Sequence, residues 1–484
     1  MRLSFPRHAT PRLLAVAALA TLGLVYLVYP RSHLLASYTP SQAELTLGHP
    51  TFAEIRELER SLPQHRLPAA EKSLTQRSYV YFPWEAWGTG WNNVFQEQLL
   101  NTHLAYLADR GYVFVDYIAR DHPPFPDELP NGTRSMLHIP MNAFTSEAYH
   151  KKWWDVECPE ARVHELSLQK VNEELGIGGE TSGVERMTRW AKKLKEIPDD
   201  CVRVVGGTPF DYYFIISDKP ASIWPAPASY GASPTLRAFT WSALVTRALI
   251  RNYHLFASLA DSNLPAHLTP SAPRRPSPDL GTVENPYPIT SIRPLSVSAP
   301  PIPGLLALHV RRGDYEVHCR NLAGQNVHYN TWNIFGAPAL QHSTDTYPAL
   351  PDYYSMSDAA STPNTTLAHC YPSIPAILSK IRAVRATPAQ QVALSRIYIA
   401  TNADEKWLGE LVQRMKMELG VAVSTSRDLA GRLTREEEAV AQVVDMAVLT
   451  AAEVFIGNGW SSLTSNVVQL RLAGGRDAET CRFW

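Results

Sequence analysis

Hydrophobic and polar residues follow one another along this chain in two kinds of segment: short apolar runs, and longer stretches with apolar residues at helical spacing. In the first half, strands are predicted at 78–82, 112–115, 201–207 and 210–217, and helices at 94–108, 184–195 and 236–259. Strands that alternate with helices are typical of parallel sheets covered by helices. The first half is therefore predicted to be Rossmann-like.

The second half repeats this alternation. Strands are predicted at 305–310, 396–402, 421–423 and 454–456, and helices at 372–386, 405–419, 435–452 and 463–472. Three of these strands end in polar residues, and the carboxyl ends of strands in a doubly wound sheet border one crevice. The fold class predicted for the chain is α/β, with two Rossmann-like domains and a ligand crevice.

Proline content sets the predicted boundary between the domains. Residues 265–303 contain eleven prolines, too many for a helix or an inner strand. We therefore predict an N-terminal domain at 76–260, a linker at 261–303 and a C-terminal domain at 304–484. A proline-punctuated stem is predicted at 30–75.

The N-terminus has the pattern of a membrane anchor. Leu13–Tyr29 is uncharged, three arginines precede it, and its end is too bulky for a signal-peptide cleavage site. The arginine bias predicts a short cytoplasmic tail at 1–12 and a type II orientation, with the bulk of the protein in the lumen. The bilayer is thus one expected partner, reached through Leu13–Tyr29, and the expected location is the Golgi or the endoplasmic reticulum.

Composition agrees with a lumenal globular protein. The chain has 484 residues, 45% of them hydrophobic, and a formal net charge of -1, so no basic field for nucleic acid is expected. Sequons at Asn131 and Asn364 fit a lumenal placement. In an oxidising lumen, Cys158 with Cys201 and Cys319 with Cys370 are candidate disulfide pairs, which leaves Cys481 over.

The strand at 305–310 carries the strongest chemical signal. It ends in His309, Arg311, Arg312, Gly313 and Asp314, and strand alternation places His309 and Arg311 on one face and Arg312 on the other. A guanidinium at such a crevice suits a diphosphate, which it can bind through two parallel hydrogen bonds. Arginines at a strand end are also often only solvated or salt-bridged.

Two further turns are candidate anion sites. Gly88–Asn93 lies between a predicted strand and a predicted helix, and Gly457–Ser462 precedes another helix. Helix N-termini present free N–H groups to anions. The alternatives are a tight turn with asparagine caps and a pair of serine caps. The sequence contains no Asp-x-Asp motif, the carboxylate pair that often holds a divalent metal on a diphosphate. Arginine and backbone N–H groups would then have to stabilise a leaving diphosphate instead.

These motifs resemble a known superfamily. His309–Asp314 resembles the His-x-Arg-Arg signature of GDP-fucose-dependent fucosyltransferases, which include the protein O-fucosyltransferases and the core α1,6-fucosyltransferases. Asp445, Phe455–Gly457 and Ser461-Ser462 are similar in type and spacing to the C-terminal motif of the protein O-fucosyltransferases. Gly88–Asn93 is similar to their first glycine-asparagine loop. The resemblance spans roughly residues 78–475.

The resemblance implies a GT-B fold, two Rossmann-like domains facing a central cleft. It also implies GDP-fucose as donor substrate, with inversion at the anomeric carbon, and no metal or other cofactor. Arg311 is then the catalytic residue, which binds the β-phosphate and stabilises departing GDP. The acceptor is a hydroxyl of a protein or a glycan.

The remaining donor-binding roles also follow from the resemblance. His309 and Asp445 would hold the nucleotide, Ser461 and Ser462 the diphosphate, and Asn92 or Asn93 the sugar side, next to Gly90 of the same loop. Arg312 would bind phosphate or serve packing. Asp445 has the alternative role of a structural hydrogen-bonding group.

One departure from the family leaves the general base open. Some members carry a glutamate in the glycine loop, where this chain has Thr89. Glu85, Asp314 and Glu316 are alternative bases, or the reaction is dissociative and needs none. Use of another donor such as GDP-mannose, and an inactive nucleotide-sugar-binding or glycan-binding relative, are the competing functions. The polar segment 320–370 is expected to lie over the acceptor cleft.

Overall fold

The structure is a computed structural model, and the residues it describes are 50–62, 78–83, 89–119, 127–128, 134–135, 137–146, 148, 151–225, 229–257, 264–270, 292–325, 327–355, 361–387 and 393–484. The predicted cytoplasmic tail and membrane anchor lie outside these residues, as do most of the stem and part of the linker. Within them, no helix combines the length and the apolar character that crossing a membrane requires.

The first half has the predicted α/β character. Its strands are β1 (Tyr79–Tyr81), β2 (Gly111–Val113), β3 (Tyr117–Ala119), β4 (Asp127–Glu128), β5 (Arg134–Ser135), β6 (Leu137–Ile139), β7 (Val163–Ser167), β8 (Cys201–Val205) and β9 (Thr240–Trp241). Its α-helices are α1 (Phe52–Ser61), α2 (Trp91–Leu107), α3 (Lys151–Glu157), α4 (Leu168–Glu174), α5 (Gly183–Glu196), α6 (Tyr212–Ile215), α7 (Pro234–Arg237) and α8 (Ala243–Arg251). Short 3₁₀ helices occupy Met141–Ala143, Glu160–Arg162, Lys219–Ile223, Tyr230–Ala232 and Tyr253–Leu255.

A parallel sheet with strand order β2-β1-β8-β7 forms the centre of this half. Val80 of β1 pairs with Tyr112 on one side and Val202 on the other, and its side chain is fully buried. The turn after β1 leads into α2, as the sequence predicted. The helix begins at Trp91, however, so Asn92 and Asn93 lie in its first turn rather than in a loop.

Two predictions for the first half are wrong. Residues 210–217 were expected to be a strand because they are aromatic and β-branched, but they contain α6. The side chain of Asp211 accepts a hydrogen bond from the N–H of Phe214 and so caps this helical turn. The single helix expected at 236–259 is divided into α7 and α8 by β9, which pairs with Leu295–Ser296.

The second half is built on a larger parallel sheet. The strands of the second half are β10 (Leu295–Ser296), β11 (Ile302–Val310), β12 (Arg396–Thr401), β13 (Ala422–Thr425), β14 (Ala452–Gly457) and β15 (Cys481–Phe483). All of them except β10, which pairs with β9, belong to this sheet. The α-helices of this half are α9 (Tyr315–Ala323), α10 (Pro338–Gln341), α11 (Pro363–Cys370), α12 (Ile374–Arg385), α13 (Glu405–Leu419), α14 (Ser426–Ala430), α15 (Arg435–Ala439), α16 (Ala441–Ala451) and α17 (Ser462–Ala473), with 3₁₀ helices at Thr331–Gly336 and Ala478–Thr480.

The strand order of this sheet is β13-β12-β11-β14-β15. The central strand β11 is buried on both faces, and its side chains alternate between two cores. Leu305 and Ala307 belong to the large core that extends into the first half, whereas Leu306, Leu308 and Val310 pack under α12 and α13. This alternation fixes which way the residues beyond the strand point.

The second half departs from prediction in four places. The helix expected at 435–452 is interrupted at Val440 and forms α15 and α16. The segment 320–370 was expected to be irregular, but it contains α10 and α11 as well as a 3₁₀ helix. Helix α9 and strand β15 were not predicted.

Both candidate disulfides are present. Cys158 bonds to Cys201, and Cys319 bonds to Cys370, whereas Cys481 is a free, buried thiol. The second disulfide joins α9 to α11 and so fixes α9 beside the end of β11. The predicted pairing is confirmed.

A buried ion cluster joins the two halves. Glu437 of α15 accepts hydrogen bonds from Arg247 at 2.5 Å and from Arg251 at 2.8 Å, both in α8. The side chains of all three residues are fully buried. Residues 46–484 form one compact unit, which contains both sheets.

Candidate active site

A cavity of about 430 Å³ lies between the two sheets. Three turns that follow strand carboxyl ends border it, after β1, β11 and β14, which is where ligands bind in doubly wound folds. Of the sequence-predicted site residues, the cavity is lined by Gly90, Asn92, Asn93, His309, Arg311, Ser461 and Ser462. Residues separated by several hundred positions in the sequence therefore meet in one place.

His309 lies at the carboxyl end of β11 and is buried. Its Nδ1 is 2.9 Å from Oγ1 of Thr464, which also accepts a hydrogen bond from the N–H of Asn458 at 3.1 Å. Burial, together with the charge of Arg311, lowers the pKa of His309 to about 3. At neutral pH the ring is therefore uncharged, with Nε2 as its remaining hydrogen-bonding atom.

Close packing fixes the Thr464 hydroxyl against His309. A Cβ atom on Gly457 would lie 2.5 Å from Cγ2 of Thr464, so the last residue of β14 has to be glycine for Thr464 to take this position. The indole N–H of Trp484 donates to the backbone carbonyl of His309 at 3.0 Å. The histidine is therefore held through both its ring and its backbone.

Arg311 brings a cationic side chain to the cavity wall. Its guanidinium pairs with Asp314 at 3.1 Å and lies 4.9 Å from the ring centroid of Tyr315. The Arg311 side chain keeps 29% of its surface exposed, whereas His309, which faces the same cavity, is buried. Arg311 therefore presents a charge to a ligand and is backed by an aromatic ring.

Arg312 points away from the cavity, as strand alternation predicts. Its guanidinium lies 4.0 Å from the ring centroids of both Tyr371 and Trp407 and donates to the carbonyl of Pro372. Burial lowers its pKa. These contacts support the packing role and not the phosphate-binding one.

The turn after Arg312 is held by Asn402, at the end of the neighbouring strand β12. The Asn402 side chain accepts from the N–H of Arg312 at 2.8 Å and donates to its carbonyl and to Asp314 at 2.9 Å. Gly313 has a φ of 59°, in the left-handed region that favours glycine. The turn aligns Asp314 with Arg311.

Two helix N-termini open into the cavity, those of α2 and α17. Gly90 and Ser461 occupy their N-cap positions, and neither helix has a side-chain cap. The serine-cap alternative is therefore wrong for Ser461. Helix N-termini without side-chain caps provide N–H groups and a partial positive charge for an anion.

One family of known proteins matches part of this chain in sequence. Residues 301–473 match the sequence model of the family described as GDP-fucose protein O-fucosyltransferase. The matched residues all lie in the second half of the chain. The resemblance to GDP-fucose-dependent fucosyltransferases predicted from the motifs is confirmed. No curated protein matches the chain.

Solved structures show more distant similarity. POFUT1 in complex with GDP-fucose has 13% identity and a TM-score of 0.47, with coverage of 84% of this chain and 98% of that chain. An arginine-to-lysine mutant of Arabidopsis thaliana FUT1 in complex with GDP has 10% identity and a TM-score of 0.35, with coverage of 91% of this chain and 79% of that chain.

Asp445, like Arg312, lies outside the described cavity wall, although it belongs to the motif that resembles the protein O-fucosyltransferases. Asp445, in α16, accepts a hydrogen bond from the hydroxyl of Tyr398. Burial raises the pKa of Asp445 to about 7, and the Tyr398 hydrogen bond partly opposes the rise. The contact with Tyr398 is the structural role that the sequence left as an alternative. A nucleotide role for Asp445 requires a ligand that extends beyond the cavity.

Several residues of the cavity wall were missed by sequence reasoning. They are mostly aromatic or imidazole side chains: Trp91, Tyr117, Tyr212, Tyr315, His318, His328, Asn330, Gln442 and Trp460. Tyr315 and His318 lie in α9, where no helix was predicted. The segment 320–370 contributes Leu322, Val327, His328 and Asn330, so it does border the cavity.

The candidate bases are not on the described wall. Asp314 pairs with Arg311 and is 72% exposed, and Glu316 pairs with Arg320 at 2.6 Å. Glu85 lies outside the described residues. In the described part of the chain, the cavity wall contains no carboxylate, and no cluster of three His, Cys, Asp or Glu residues suits a metal ion.

Proposed function

We propose that this protein is an inverting glycosyltransferase that moves fucose from GDP-fucose to a hydroxyl of a protein or a glycan. The observation that carries the proposal is the position of Arg311. It lies in the matched O-fucosyltransferase domain, at the end of the central strand, and faces a cavity that two helix N-termini also enter. These groups together suit a leaving diphosphate.

The chemistry required of the site is charge stabilisation. As the bond from the anomeric carbon to the phosphate oxygen breaks, negative charge grows on the β-phosphate of GDP. The Arg311 guanidinium and the N–H groups of α2 and α17 would face that charge, and uncharged His309 would supply a hydrogen bond. Donors placed at the site of developing charge lower the barrier because they need no reorganisation during the reaction. The proposal requires no metal for this step.

The proposal includes a GT-B arrangement, with domains at 76–260 and 304–484 joined by the linker at 261–303. Two parallel sheets with a cavity between their strand ends support this arrangement. It also includes a type II anchor at Leu13–Tyr29 and a Golgi or endoplasmic reticulum location. The two disulfides support an oxidising compartment.

The test uses the full chain in detergent or nanodiscs with a panel of GDP-fucose, GDP-mannose and UDP-sugars. We expect calorimetry to show GDP binding and a preference for GDP-fucose. The protein should also release GDP from GDP-fucose, with either water or a hydroxyl compound as the acceptor of fucose. Preference for GDP-mannose would contradict the choice of sugar. GDP binding with no turnover on any donor would identify an inactive relative.

A further inference from the structure

His318 shares an aromatic support with Arg311. Its imidazole lies 4.8 Å from the centroid of the Tyr315 ring, and the Arg311 guanidinium lies 4.9 Å from the same centroid. Both side chains line the cavity. The Tyr315 hydroxyl donates to the carbonyl of Trp460 at 2.9 Å, so the ring that both groups contact is itself fixed.

Helix α9 holds His318 on a rigid element. The residue after it, Cys319, is buried and bonded to Cys370 of α11. His328, another imidazole on the wall, lies after the helix and meets the hydroxyl of Tyr353 at 3.5 Å. A reacting group held on a helix is placed more accurately than one on a loop, which favours His318.

From this geometry we propose that His318 is the base that takes the proton of the acceptor hydroxyl. The role rests on the proposed fucosyl transfer. Thr89 stands where some of the fucosyltransferases that this chain resembles have a glutamate, and the described wall of the cavity offers no carboxylate. His318 is an imidazole on the same cavity wall as Arg311, the proposed diphosphate-binding residue, and both contact the ring of Tyr315.

The proton and electron balance is complete without another reactant. The bond from the anomeric carbon to the β-phosphate oxygen breaks, and its electron pair leaves with GDP. The acceptor oxygen forms the new bond to that carbon, and its proton passes to a ring nitrogen of His318. The imidazolium then returns the proton to solvent.

The charges around His318 make its basicity depend on the donor. Burial and the Arg311 charge lower the pKa of His318, and Asp314 opposes them. Further titratable groups of helix α9 are Tyr315, Glu316 and Arg320, of which the last two pair with each other, and Tyr212 and His328 lie on the same cavity wall. A diphosphate on Arg311 would offset the arginine charge and raise the pKa of His318 when a base is needed.

The first experiment compares His318→Gln with wild type, with His342→Gln as the matched control, because His342 is exposed and away from the described cavity wall. His318→Gln should lower kcat for transfer by about 10²-fold or more. GDP affinity should stay unchanged at a pH where His318 is neutral both with and without GDP. In wild type, kcat/KM should rise with pH as His318 loses its proton, which gives the pH profile an acidic limb. This limb should be absent from the pH profile of His318→Gln.

The second experiment follows the His318 imidazole by NMR during a pH titration, with and without GDP. We expect its pKa to rise when GDP binds. Transfer by His318→Gln at the wild-type rate across the pH range would overturn the base role and leave the proposed function intact. The base role would also be overturned if His328→Gln, and not His318→Gln, lost the acidic limb of the pH profile. A His318 pKa that does not rise on GDP binding would overturn it as well. Absence of turnover in wild type despite GDP binding would overturn both proposals.

Discussion

The side-chain amide of Asn466 donates a hydrogen bond to the backbone carbonyl of Asn92 at 2.8 Å, and it thereby joins the two helices whose N-termini enter the candidate active site. Asn466 is fully buried in α17, and Asn92 lies in the first turn of α2. The oxygen of the Asn466 side chain accepts from Gln469 at 2.7 Å. One side chain therefore joins the two turns that are candidate anion sites.

Asn466→Ala should separate these turns. The Asn92 carbonyl and the Gln469 amide would be left buried without this partner, at a cost of about 1–3 kcal/mol for each group. Denaturant unfolding should show the lost stability, and the donor KM should rise because the turns lose their alignment. Asn321→Ala, an exposed position in α9, should change neither quantity.

Arg311→Ala should reduce fucosyl transfer by about 10²–10³-fold, the usual effect of removing a donor from developing negative charge. Arg311→Lys should recover only part of this loss, since an ammonium group cannot bind two phosphate oxygens in parallel. Arg320→Ala is the matched control, because its guanidinium pairs with Glu316 on the surface. Transfer at the wild-type rate by Arg311→Ala would remove Arg311 from the mechanism.

The two disulfides allow stability and positioning to be separated. They close loops of similar sequence separation, 43 and 51 residues, so their loss should cost similar stability, about 2–5 kcal/mol. Only the Cys319–Cys370 bond anchors α9, which contains Tyr315 and His318. In assays run well below the unfolding temperature, serine replacement of that pair should lower kcat. Serine replacement of Cys158 and Cys201 should leave kcat unchanged under the same conditions. Equal kcat losses would contradict this distinction.

Asp445 should make stability depend on pH. Its pKa is raised to about 7 in the folded protein, so the protonated form stabilises the fold at acidic pH. That stabilisation is complete below the ordinary carboxyl range and is lost as pH rises through about 7. Asp445→Asn should therefore be more stable than wild type at pH 8 and similar to it at pH 4.

The same substitution distinguishes the two roles of Asp445. An unchanged donor KM in Asp445→Asn would leave the residue with its Tyr398 contact alone. A raised KM would support the nucleotide contact that the motif implies.

The proposed lumenal location has its own test. Asn364 is exposed in the first turn of α11 and begins an Asn-Thr-Thr sequon. Secretory-pathway expression should add a glycan that an endoglycosidase removes, and Asn364→Gln should lower the mass by one glycan. A chain that never acquires glycan at Asn364 would argue against the lumenal orientation.

The sheet strands that carry the site could be predicted because their residues are continuously apolar and end in polar residues. β11, β12 and β14 are of this type, and their convergence follows from parallel topology. The side-chain directions of His309, Arg311 and Arg312 followed from alternation alone. These features depend on local sequence and a general rule of the fold.

The cavity wall could not be predicted in the same way. α6 contains Tyr212-Tyr213-Phe214-Ile215, residues that favour strands, and only the cap from Asp211 indicates a helix. α9 has no strong apolar stripe, and its position depends on the disulfide to α11. The pairing of His309 with Thr464 joins residues from separate elements. Such contacts depend on tertiary packing and leave no local pattern.

The Glu437 cluster holds the two halves together at α8 and α15. Rotating the halves apart there would break the contacts of a fully buried carboxylate with two arginines and would expose the surfaces packed around them. Nucleotide exchange should therefore proceed through the cavity mouth by movement of side chains and short segments. The rate of GDP release would then depend on the residues at that mouth, and not on a hinge.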